Sequence, residues 1–445
     1  MRSRLSVAAL VLLVASLQGI RCATNGERAA LDEPITPPGT VEREPYFVGM
    51  TDSTATIRWW TYQPAQPGIR FWYDEGDTVE LVLEDEGRRH SFTMLNLQPA
   101  TEYSYQIQLS DTLWSNIASF RTFPPSGSKE RFTFLAMGDT GTLSEGQLAL
   151  AQRLNEEDVA LAIHVGDLAY PDGTAAEFTA KHFGVYAALF KRVPLFPAPG
   201  DHEWRTGLAA PYVEAFEPPG GNASGSAFYY SFTYGNVRFI SLDSSDTEEH
   251  AEALDYIGNP SSDQYQWLLR ELSDARGDPG IDWTVVYLHH APYSASTGFG
   301  GHGSHLPTRR ALSPLMDGYR VPIVFSGHDH DFQRSRFIRG NRIVDDNEGT
   351  LYFVTGGGGG RTAFRGTGAD WFTAFSAQTY SYARVTVDHY TMRVEAVDAN
   401  GRVFDTVELE IPEEMRKPEI VPMEPLTLPE TETPAATAGG QGARR

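Results

Sequence analysis

Between Val41 and Pro125 the chain carries short runs in which apolar and polar positions alternate. These runs are rich in β-branched and aromatic residues and are separated by Pro, Gly, Asp and Asn: Thr54–Tyr62, Ile69–Asp74, Glu80–Glu84, His90–Leu95, Thr101–Leu109 and Ile117–Thr122. Such alternation between turn-forming residues is typical of strands with one buried face. The pattern predicts an all-β sandwich over residues 41–125.

From Arg131 the pattern changes to continuous apolar runs that alternate with helical spacing. The runs have the character of strands buried on both faces: Phe132–Met137, Val159–Val165, Val193–Ala198, Trp283–Leu288 and Val321–Phe325. Helical spacing occurs in three segments: Ser144–Glu156, where Ser144 and Gln147 are spaced as a capping box, Glu177–Arg192 and Asp263–Arg276. This alternation predicts an α/β domain over residues 130–411 with parallel strands.

After Gly349 the chain returns to strand patterns. The predicted strands are Thr350–Thr355, Ser381–Val387, Thr391–Val397 and Val403–Glu410. We expect them to pair antiparallel and to close a second layer. The second domain is therefore predicted to contain two mixed sheets flanked by helices.

The two ends of the chain have different patterns. Residues 1–23 begin with Arg2 and Arg4, continue with an apolar run and then turn polar, which is typical of an export signal. The prediction is a secreted or periplasmic protein without a transmembrane anchor, with cleavage of the segment containing Cys22 favoured over lipid attachment there. Residues 24–40 are expected to be a flexible lead-in, and residues 412–445, rich in Pro, Thr and Glu, a disordered tail.

Composition excludes several kinds of site and partner. The 445 residues include one cysteine, so neither an internal disulfide nor a cysteine-based metal site can form. The 36 Lys and Arg residues against 58 Asp and Glu residues give a net charge of −22, which disfavours nucleic acid as a partner. Phosphate-ester small molecules remain possible substrates, because bound cations can reverse the field locally.

The loops after the five buried runs carry the candidate chemistry. They read Gly138-Asp139-Thr-Gly, Gly166-Asp167-Leu-Ala-Tyr170, Gly200-Asp201-His202-Glu203, His289-His290-Ala-Pro and Gly327-His328-Asp-His330. In α/β sheets, loops beyond the carboxyl ends of strands converge on one crevice. A single Gly-Asp pair is usually an ordinary turn, but the combination of all five predicts a metal centre.

This ordered set resembles the calcineurin-like metallophosphoesterases, and among them the purple acid phosphatases. The segment Leu97–Tyr105 followed by Phe120–Phe123 also resembles a fibronectin type III domain, in which a tyrosine at the corner before a late strand ties back to the backbone. The resemblance implies a sandwich followed by a catalytic domain. It further implies a secreted phosphatase with a dinuclear metal site, which hydrolyses phosphomonoesters by attack of a metal-bound hydroxide.

The resemblance also implies a ligand set. It assigns Asp139, Asp167, Tyr170 and His330 to the first metal, and Asp167, as a bridge, with Asp201, His290 and His328 to the second. Tyr170 suits iron(III), and the partner ion is expected to be divalent iron, zinc or manganese. His290 is chosen for its spacing to the following proline, and His289 is expected to point back into the sheet. Asp201 is a departure, since most relatives have asparagine there.

Further residues are expected to face the substrate. By resemblance, His202 binds the phosphate or protonates the leaving oxygen, and Glu203 orients His202, although an exposed loop carboxylate remains the alternative. His302 is the preferred pocket residue over His305 in the glycine-rich loop. The glycines at 356–360 are interpreted as a tight turn near the site.

Two other functions stay open. A phosphodiesterase or nucleotide pyrophosphatase could use the same metals. In a non-catalytic cell-surface binding protein, the sandwich would act instead, with Trp59, Trp60 and Trp72 as a carbohydrate-binding surface or, more simply, as core.

Overall fold

The computed structural model describes residues 40–74, 78–82, 86–110, 112–216, 224–245, 256–296, 301–361, 370–413 and 416. The predicted export signal lies outside these residues, as do all but residue 40 of the predicted lead-in and nearly all of the predicted tail. Within the described ranges, no helix combines the length and apolarity that a membrane crossing requires.

The N-terminal strands form a sandwich of antiparallel sheets. One sheet has the order β1-β2-β5, and the other has the order β4-β3-β6-β7 with β8 paired to β6. The strands are β1 (Val41–Met50), β2 (Ala55–Ala65), β3 (Gly68–Trp72), β4 (Val79–Val82), β5 (Gly87–Met94), β6 (Glu102–Ser110), β7 (Leu113–Trp114) and β8 (Ala118–Arg121). Alternate side chains of both sheets meet in one buried core, so the predicted sandwich is confirmed.

Two details bear on the sequence interpretation of this sandwich. The backbone amide of Gln98 donates to the Tyr103 hydroxyl at 2.8 Å, which is the tie-back expected of a corner tyrosine. Trp59 and Trp60 are buried, so they belong to the core and offer no carbohydrate-binding surface.

The second domain contains two mixed sheets, in the orders β11-β10-β9-β21-β22-β23 and β12-β13-β14-β15-β19-β16-β20. Its strands are β9 (Phe132–Met137), β10 (Leu161–His164), β11 (Leu195–Pro197), β12 (Tyr230–Tyr234), β13 (Val237–Ser241), β14 (Trp283–Tyr287), β15 (Ile323–Ser326), β16 (Phe332–Ser335), β17 (Ile338–Arg339), β18 (Arg342–Ile343), β19 (Leu351–Thr355), β20 (Thr373–Ala377), β21 (Ser381–Asp388), β22 (Thr391–Asp398) and β23 (Val403–Glu410). Strands β9, β10 and β11 run parallel, as do β13, β14, β15 and β19.

The topological expectation for the late strands is confirmed in part. As expected, β21, β22 and β23 pair antiparallel, and β21 also pairs antiparallel with β9, so these strands extend the first sheet. The expectation is wrong for β19, which pairs parallel with β15. The excursion from Gly327 to Thr350 gives the chain room for the crossover that a parallel pairing needs. Both sheets are therefore completed by strands from the end of the domain.

The helices cover the outer faces. They are α1 (Glu145–Leu154), α2 (Ala175–Glu177), α3 (Gly184–Phe190), α4 (Asp201–Trp204), α5 (Ala210–Phe216), α6 (Asp263–Gly277) and α7 (Leu306–Tyr319), with a π-helix at Phe178–Phe183 joining α2 to α3. Ser144 caps α1 by accepting from the Gln147 amide, as its spacing predicts. The Gln147 side chain accepts from the amides of Thr142 and Leu143 instead of completing a capping box.

Alternation along the strands places each sheet between two apolar layers. Phe134 and Val285 point inward and share the core between the two sheets. Leu135 packs outward beneath α1 and α3, and Val286 packs outward beneath α6 and α7. The layers therefore run helix, sheet, sheet, helix, and side chains at inward positions of both sheets face each other.

The sandwich packs directly on the second domain. Arg43 of β1 is 1% exposed, and its guanidinium donates to the carbonyl of Ala175 at 2.9 Å and to Thr179 Oγ1 at 2.8 Å. Tyr105 donates its hydroxyl to the carbonyl of Lys191 at 2.8 Å. The N-terminal domain thus holds the helical segment that follows the Tyr170 loop.

Candidate metal centre

Two of the predicted ligands begin tight turns at the ends of neighbouring strands. Asp139 follows β9 and Asp167 lies just beyond β10, and each has a φ of 57°. A non-glycine residue in this left-handed region costs about 1–3 kcal/mol, although aspartate tolerates it better than most residues. The turns support each other, because the Asp139 amide donates to the carbonyl of Gly166 at 3.0 Å. They bury both carboxylates at the carboxyl end of the sheet.

Asp139, Tyr170 and His330 form the first group of candidate ligands. The Tyr170 hydroxyl lies 3.1 Å from Asp139 Oδ1 and 3.0 Å from His330 Nε2. His330 Nε2 lies 3.4 Å from the same Asp139 oxygen, and the carbonyl of Arg361 faces its Nδ1 at 2.9 Å. The structure therefore brings together three of the residues predicted for the first metal.

The second group contains Asp167, Asp201, His289 and His328. His289 Nε2 lies 3.2 Å from Asp201 Oδ1 and 3.4 Å from Asp167 Oδ2. His328 Nδ1 lies 3.3 Å from Asp201 Oδ1 and 3.3 Å from His289 Nε2. Three combinations have ligand atoms within 4.8 Å of one another: Asp201 with His290 and His328, Asp139 with Asp167 and His289, and Asp167 with Asp201 and His202.

The expectation that His289 points back into the sheet is wrong. Val285 and Tyr287 of β14 face the core between the two sheets, and His289 continues this alternation. The site opens in that same space, so the inward position is the one that meets the carboxylates. His290 follows the outward alternation, and its Nδ1 lies 3.2 Å from the Ser244 hydroxyl. Its ring nevertheless stays at the edge of the cluster, with its centroid 4.4 Å from that of His328.

Asp201 uses its two carboxylate oxygens differently. Oδ1 faces His289 and His328, as described above. Oδ2 accepts a hydrogen bond at 3.1 Å from Arg205, which lies one turn further along α4. Asp201 therefore contacts both the cluster of candidate ligands and the Arg205 guanidinium at the edge of that cluster.

His202 lies at the open side of the cluster. Its ring packs on Tyr170, and its Nε2 is 3.8 Å from Asp167 Oδ2 and 3.9 Å from Asp201 Oδ2. The carbonyl of Pro171 faces its Nδ1 and fixes the ring orientation. These positions suit a group that acts on a ligand bound between the carboxylates.

The predicted orienting role of Glu203 needs correction. Glu203 is neither an exposed carboxylate nor a partner of the His202 ring, since it is 0% exposed and accepts from backbone amides. Its oxygens accept from Gly200 at 2.8 Å, Asp167 at 2.9 Å and Leu168 at 2.8 Å. Glu203 thus joins the Asp167 turn to the start of α4, because these amides would otherwise be buried without acceptors.

The two histidines of the glycine-rich loop have different surroundings. The His302 ring stacks on His328, with the centroids 3.9 Å apart. His305 Nδ1 lies 2.7 Å from Thr308 Oγ1 at the start of α7, and its ring is 4.8 Å from that of His290. His302 is therefore the one that packs directly on a candidate ligand.

The glycine run at 356–360 lies against the first group of ligands. The Gly360 amide donates to the carbonyl of Asp139 at 2.8 Å. A Cβ on Gly360 would come within 2.5 Å of the His330 ring, and one on Gly356 within 2.7 Å of Asp139 Oδ2. Only glycine permits this approach, in agreement with the predicted tight turn near the site.

The electrostatics favour cations at the cluster. Burial opposes protonation of His330, but the hydrogen bond and charge of Asp139 raise the pKa of His330 to about 9. Burial likewise opposes protonation of His289, yet the carboxylates raise its pKa well above the ordinary value. Burial raises the pKa of the Tyr170 phenol, so an added cation would be needed to ionise it. Carboxylate, phenol and imidazole groups are suitable donors for iron, zinc and manganese, so the residues fit the implied metals.

Sequence reasoning missed Asp329, whose buried carboxylate accepts from the His302 amide at 2.7 Å. The signal for it was available in the sequence. From His328 to Gln333, the polar residues Asp329, Asp331 and Gln333 occupy every second position. In the structure residues 328–331 form bends, and β16 begins only at Phe332.

Comparison with known proteins agrees with this geometry. Residues 132–332 match the calcineurin-like phosphoesterase family, and residues 349–406 match the family described as iron/zinc purple acid phosphatase-like protein C. The second domain is a calcineurin-like phosphoesterase domain whose C-terminal part is of the purple acid phosphatase type. Its convergent aspartates and histidines are the features of this domain that the sequence motifs indicated.

Individual relatives show how far the similarity extends. An uncharacterised protein of Mycobacterium tuberculosis is 29% identical over 60% of this chain and 57% of its own length. A probable inactive purple acid phosphatase 27 of Arabidopsis thaliana is 26% identical over 72% of this chain and 58% of its own length. The structure of a purple acid phosphatase from yellow lupin has a TM-score of 0.71 at 21% identity, covering 87% of this chain and 78% of the lupin chain. The chain thus spans less than three fifths of the length of the Mycobacterium tuberculosis and Arabidopsis thaliana relatives.

Proposed function

We propose that the protein is a two-metal phosphatase that hydrolyses phosphomonoesters. The observation that carries the proposal is the convergence of the two ligand groups on one cluster, with His202 at its open side. A relative named as probably inactive shows that similarity within the family does not by itself establish activity. The support from this chain is therefore its own set of side chains.

The two groups of side chains would hold the two ions. Asp139, Tyr170 and His330 would bind the first, and Asp201, His289 and His328 the second, with Asp167 between them. We propose His289 in place of His290, because His289 Nε2 faces both Asp201 and Asp167. When bound, the metals would lower the pKa of a water molecule and withdraw charge from the phosphoryl oxygens.

The chain's own residues would supply positioning and a proton. His202 is held by Pro171 through Nδ1, which leaves Nε2 directed at the space beside Asp167 and Asp201. From there it could bind a phosphate oxygen or protonate the departing alkoxide. Tyr170 supports an iron(III) ion in the first position, paired with divalent iron, zinc or manganese.

Export remains part of the proposal. Its support is the pattern of residues 1–23, with two arginines ahead of an apolar run. Separating the cytoplasmic fraction from the material outside the cytoplasm, and determining the N-terminal sequence of the protein in each, tests it. Cleavage near residue 23 supports export, lipid on Cys22 supports anchoring, and an intact N-terminus on a cytoplasmic protein contradicts both.

The function is tested by metal analysis together with paired substrates. The purified protein is loaded with iron and zinc, its metal content is measured, and hydrolysis of p-nitrophenyl phosphate is compared with that of bis(p-nitrophenyl) phosphate. We expect two metals per chain and preferential hydrolysis of the monoester. Asp167→Asn serves as the inactive control, since it removes the carboxylate shared by both groups.

The alternatives give distinct results. Faster hydrolysis of the diester would favour a phosphodiesterase. Two bound metals without hydrolysis of either ester would favour a non-catalytic binding protein.

A further inference from the structure

Residues 294–296 and 301–305 lie between β14 and α7 in the chain. Ser304 bonds to Ser294, because its hydroxyl accepts from the Ser294 amide at 3.0 Å and donates to the Ser294 carbonyl at 3.1 Å. The His305 amide donates to the carbonyl of Ala291 at 2.8 Å. These hydrogen bonds hold Ser304 and His305 in place, and His302 lies two residues before Ser304.

One buried carboxylate holds the backbone around His302. Asp329 Oδ1 accepts from the His302 amide at 2.7 Å, and Oδ2 accepts from the Gly303 amide at 3.2 Å. The Ser294 hydroxyl also donates to Oδ2. Asp329 is 0% exposed, so each of these bonds forms away from water.

A second set of polar groups holds Ser294 in place. Gln333 Nε2 donates to the hydroxyls of Ser294 and Ser296, both at 2.9 Å. The Ser296 hydroxyl donates to Asp331 Oδ2 at 2.6 Å. Gln333 therefore fixes the Ser294 hydroxyl as a donor to Asp329. Because of this bond, the Asp329 side chain has little freedom to rotate.

This hydrogen-bond network connects the segment that carries the candidate ligand His328 with His302, whose ring is expected to face the substrate. Asp329 lies between His328 and His330 in the chain, while its carboxylate holds His302, whose ring stacks on His328. We propose that Asp329 is a positioning residue that keeps His302 beside the bound phosphate. The proposal rests on the phosphatase function, because it takes His302 as a phosphate-binding group.

Asparagine cannot replace Asp329 in this role. Both carboxylate oxygens accept from backbone amides, whereas an asparagine side chain has one oxygen and one NH₂ group. In either orientation the NH₂ group would face an amide N–H, which leaves a buried donor without an acceptor. Such a loss destabilises the conformation that holds the two amides and is enough to release the local backbone.

The test compares Asp329→Asn with Asp331→Asn. Asp331 is a matched control: it is a buried aspartate on the same segment, and it accepts from Ser296 and Gln333, whereas the His302 and Gly303 amides are bonded to Asp329. Amide hydrogen exchange of peptides covering residues 301–305 is measured without added metal. Exchange is expected to rise at least about 10-fold in Asp329→Asn and to stay near wild type in Asp331→Asn.

The second measurement is the affinity of the metal-loaded protein for inorganic phosphate. We expect Asp329→Asn to weaken it on the order of 10-fold with metal content unchanged, and His302→Ala to weaken it similarly. The double variant should be no weaker than His302→Ala, since Asp329 acts through His302. If Asp329→Asn does not fold, Ser294→Ala takes its place, with a smaller effect in the same direction.

The outcomes separate this proposal from the proposed function. Unchanged exchange at residues 301–305, or a further loss when Asp329→Asn is added to His302→Ala, overturns the positioning role. If the metal-loaded wild type neither binds phosphate nor hydrolyses esters, the phosphatase proposal fails. Faster exchange in Asp329→Asn would then still show that the carboxylate holds the loop, but its role in phosphate binding would be overturned.

Discussion

The imidazole of His202 lies against the phenol of Tyr170, with ring centroids 4.2 Å apart and planes inclined by 55°. Tyr170 in turn lies within hydrogen-bonding distance of Asp139 and His330. The proposed proton donor therefore packs on a proposed metal ligand. Each can be altered separately.

Replacing His202 with alanine should slow catalysis without releasing metal. We expect kcat to fall roughly 10²- to 10⁴-fold, the usual contribution of a general acid or base. The loss should be greater for an alkyl phosphate than for p-nitrophenyl phosphate, because p-nitrophenolate leaves without a proton. His389→Ala, at an exposed turn, is the control. Loss of a metal from His202→Ala would identify His202 as a ligand instead.

Tyr170→Phe should remove the colour of the iron-loaded protein. A phenolate bound to iron(III) absorbs visible light, and phenylalanine has no oxygen to donate. The absorption spectrum is compared with that of wild type at equal iron content, with zinc-loaded wild type as a colourless reference. A band that survives the substitution would exclude Tyr170 as its source.

The adjacent histidines should differ in their effect on metal retention. His289→Asn removes the imidazole that faces Asp201 and Asp167, so metal content should fall from two ions to about one per chain. His290→Asn changes a ring whose Nδ1 faces Ser244, and it should retain both ions. Elemental analysis after dialysis against a chelator compares them, and the reverse order would restore His290 as the ligand.

Asp201→Asn should loosen the second metal while keeping the fold. The substitution removes one negative charge from a cluster that also contains Asp139 and Asp167, so a divalent ion should be lost more readily. Phosphate, an anion, should bind at least as well. Arg205→Met is the companion variant, because it removes the cation at Asp201 Oδ2 and leaves the carboxylate. Unchanged metal retention together with unchanged phosphate affinity would contradict a charged ligand at this position.

Acid should destabilise the sandwich partly through His90. Burial against Trp59 and Thr61 lowers the pKa of His90 to about 4. The unfolded chain binds a proton near pH 6.5 and the folded chain does not, so stability falls as pH drops from 6.5 towards 4. Between pH 7.5 and pH 5 the loss is about 2 kcal/mol.

Thermal unfolding at those two pH values measures the effect. His90→Gln should lose less stability between them than wild type. His389→Gln, on an exposed turn, should behave as wild type. In His90→Gln part of the loss of stability at low pH will remain, since burial also lowers the pKa values of His164 and His182. An identical fall in His90→Gln and wild type would show that His90 is not neutral in the fold.

The sequence predicted the sheets and the strand ends well, since both depend on local periodicity. It could not distinguish His289 from His290, because that choice depends on which face of β14 meets the other sheet. Glu203 illustrates a second limit: its partners are backbone amides at residues 167–169 and 200, and no side-chain motif encodes them. The parallel pairing of β19 with β15 likewise depends on a long-range crossover that local pattern does not specify.

The buried guanidinium of Arg43 also limits how far the two domains can be separated in evolution or in protein design. It lies over the Trp60 ring, 3.3 Å from the centroid, while it holds Ala175 and Thr179. A second domain transplanted without its sandwich would expose the two acceptors that Arg43 holds, Thr179 Oγ1 and the Ala175 carbonyl. A sandwich from another protein would need a cationic side chain at the position on its first strand that corresponds to Arg43. The two domains are therefore expected to be exchanged, duplicated or lost as one piece.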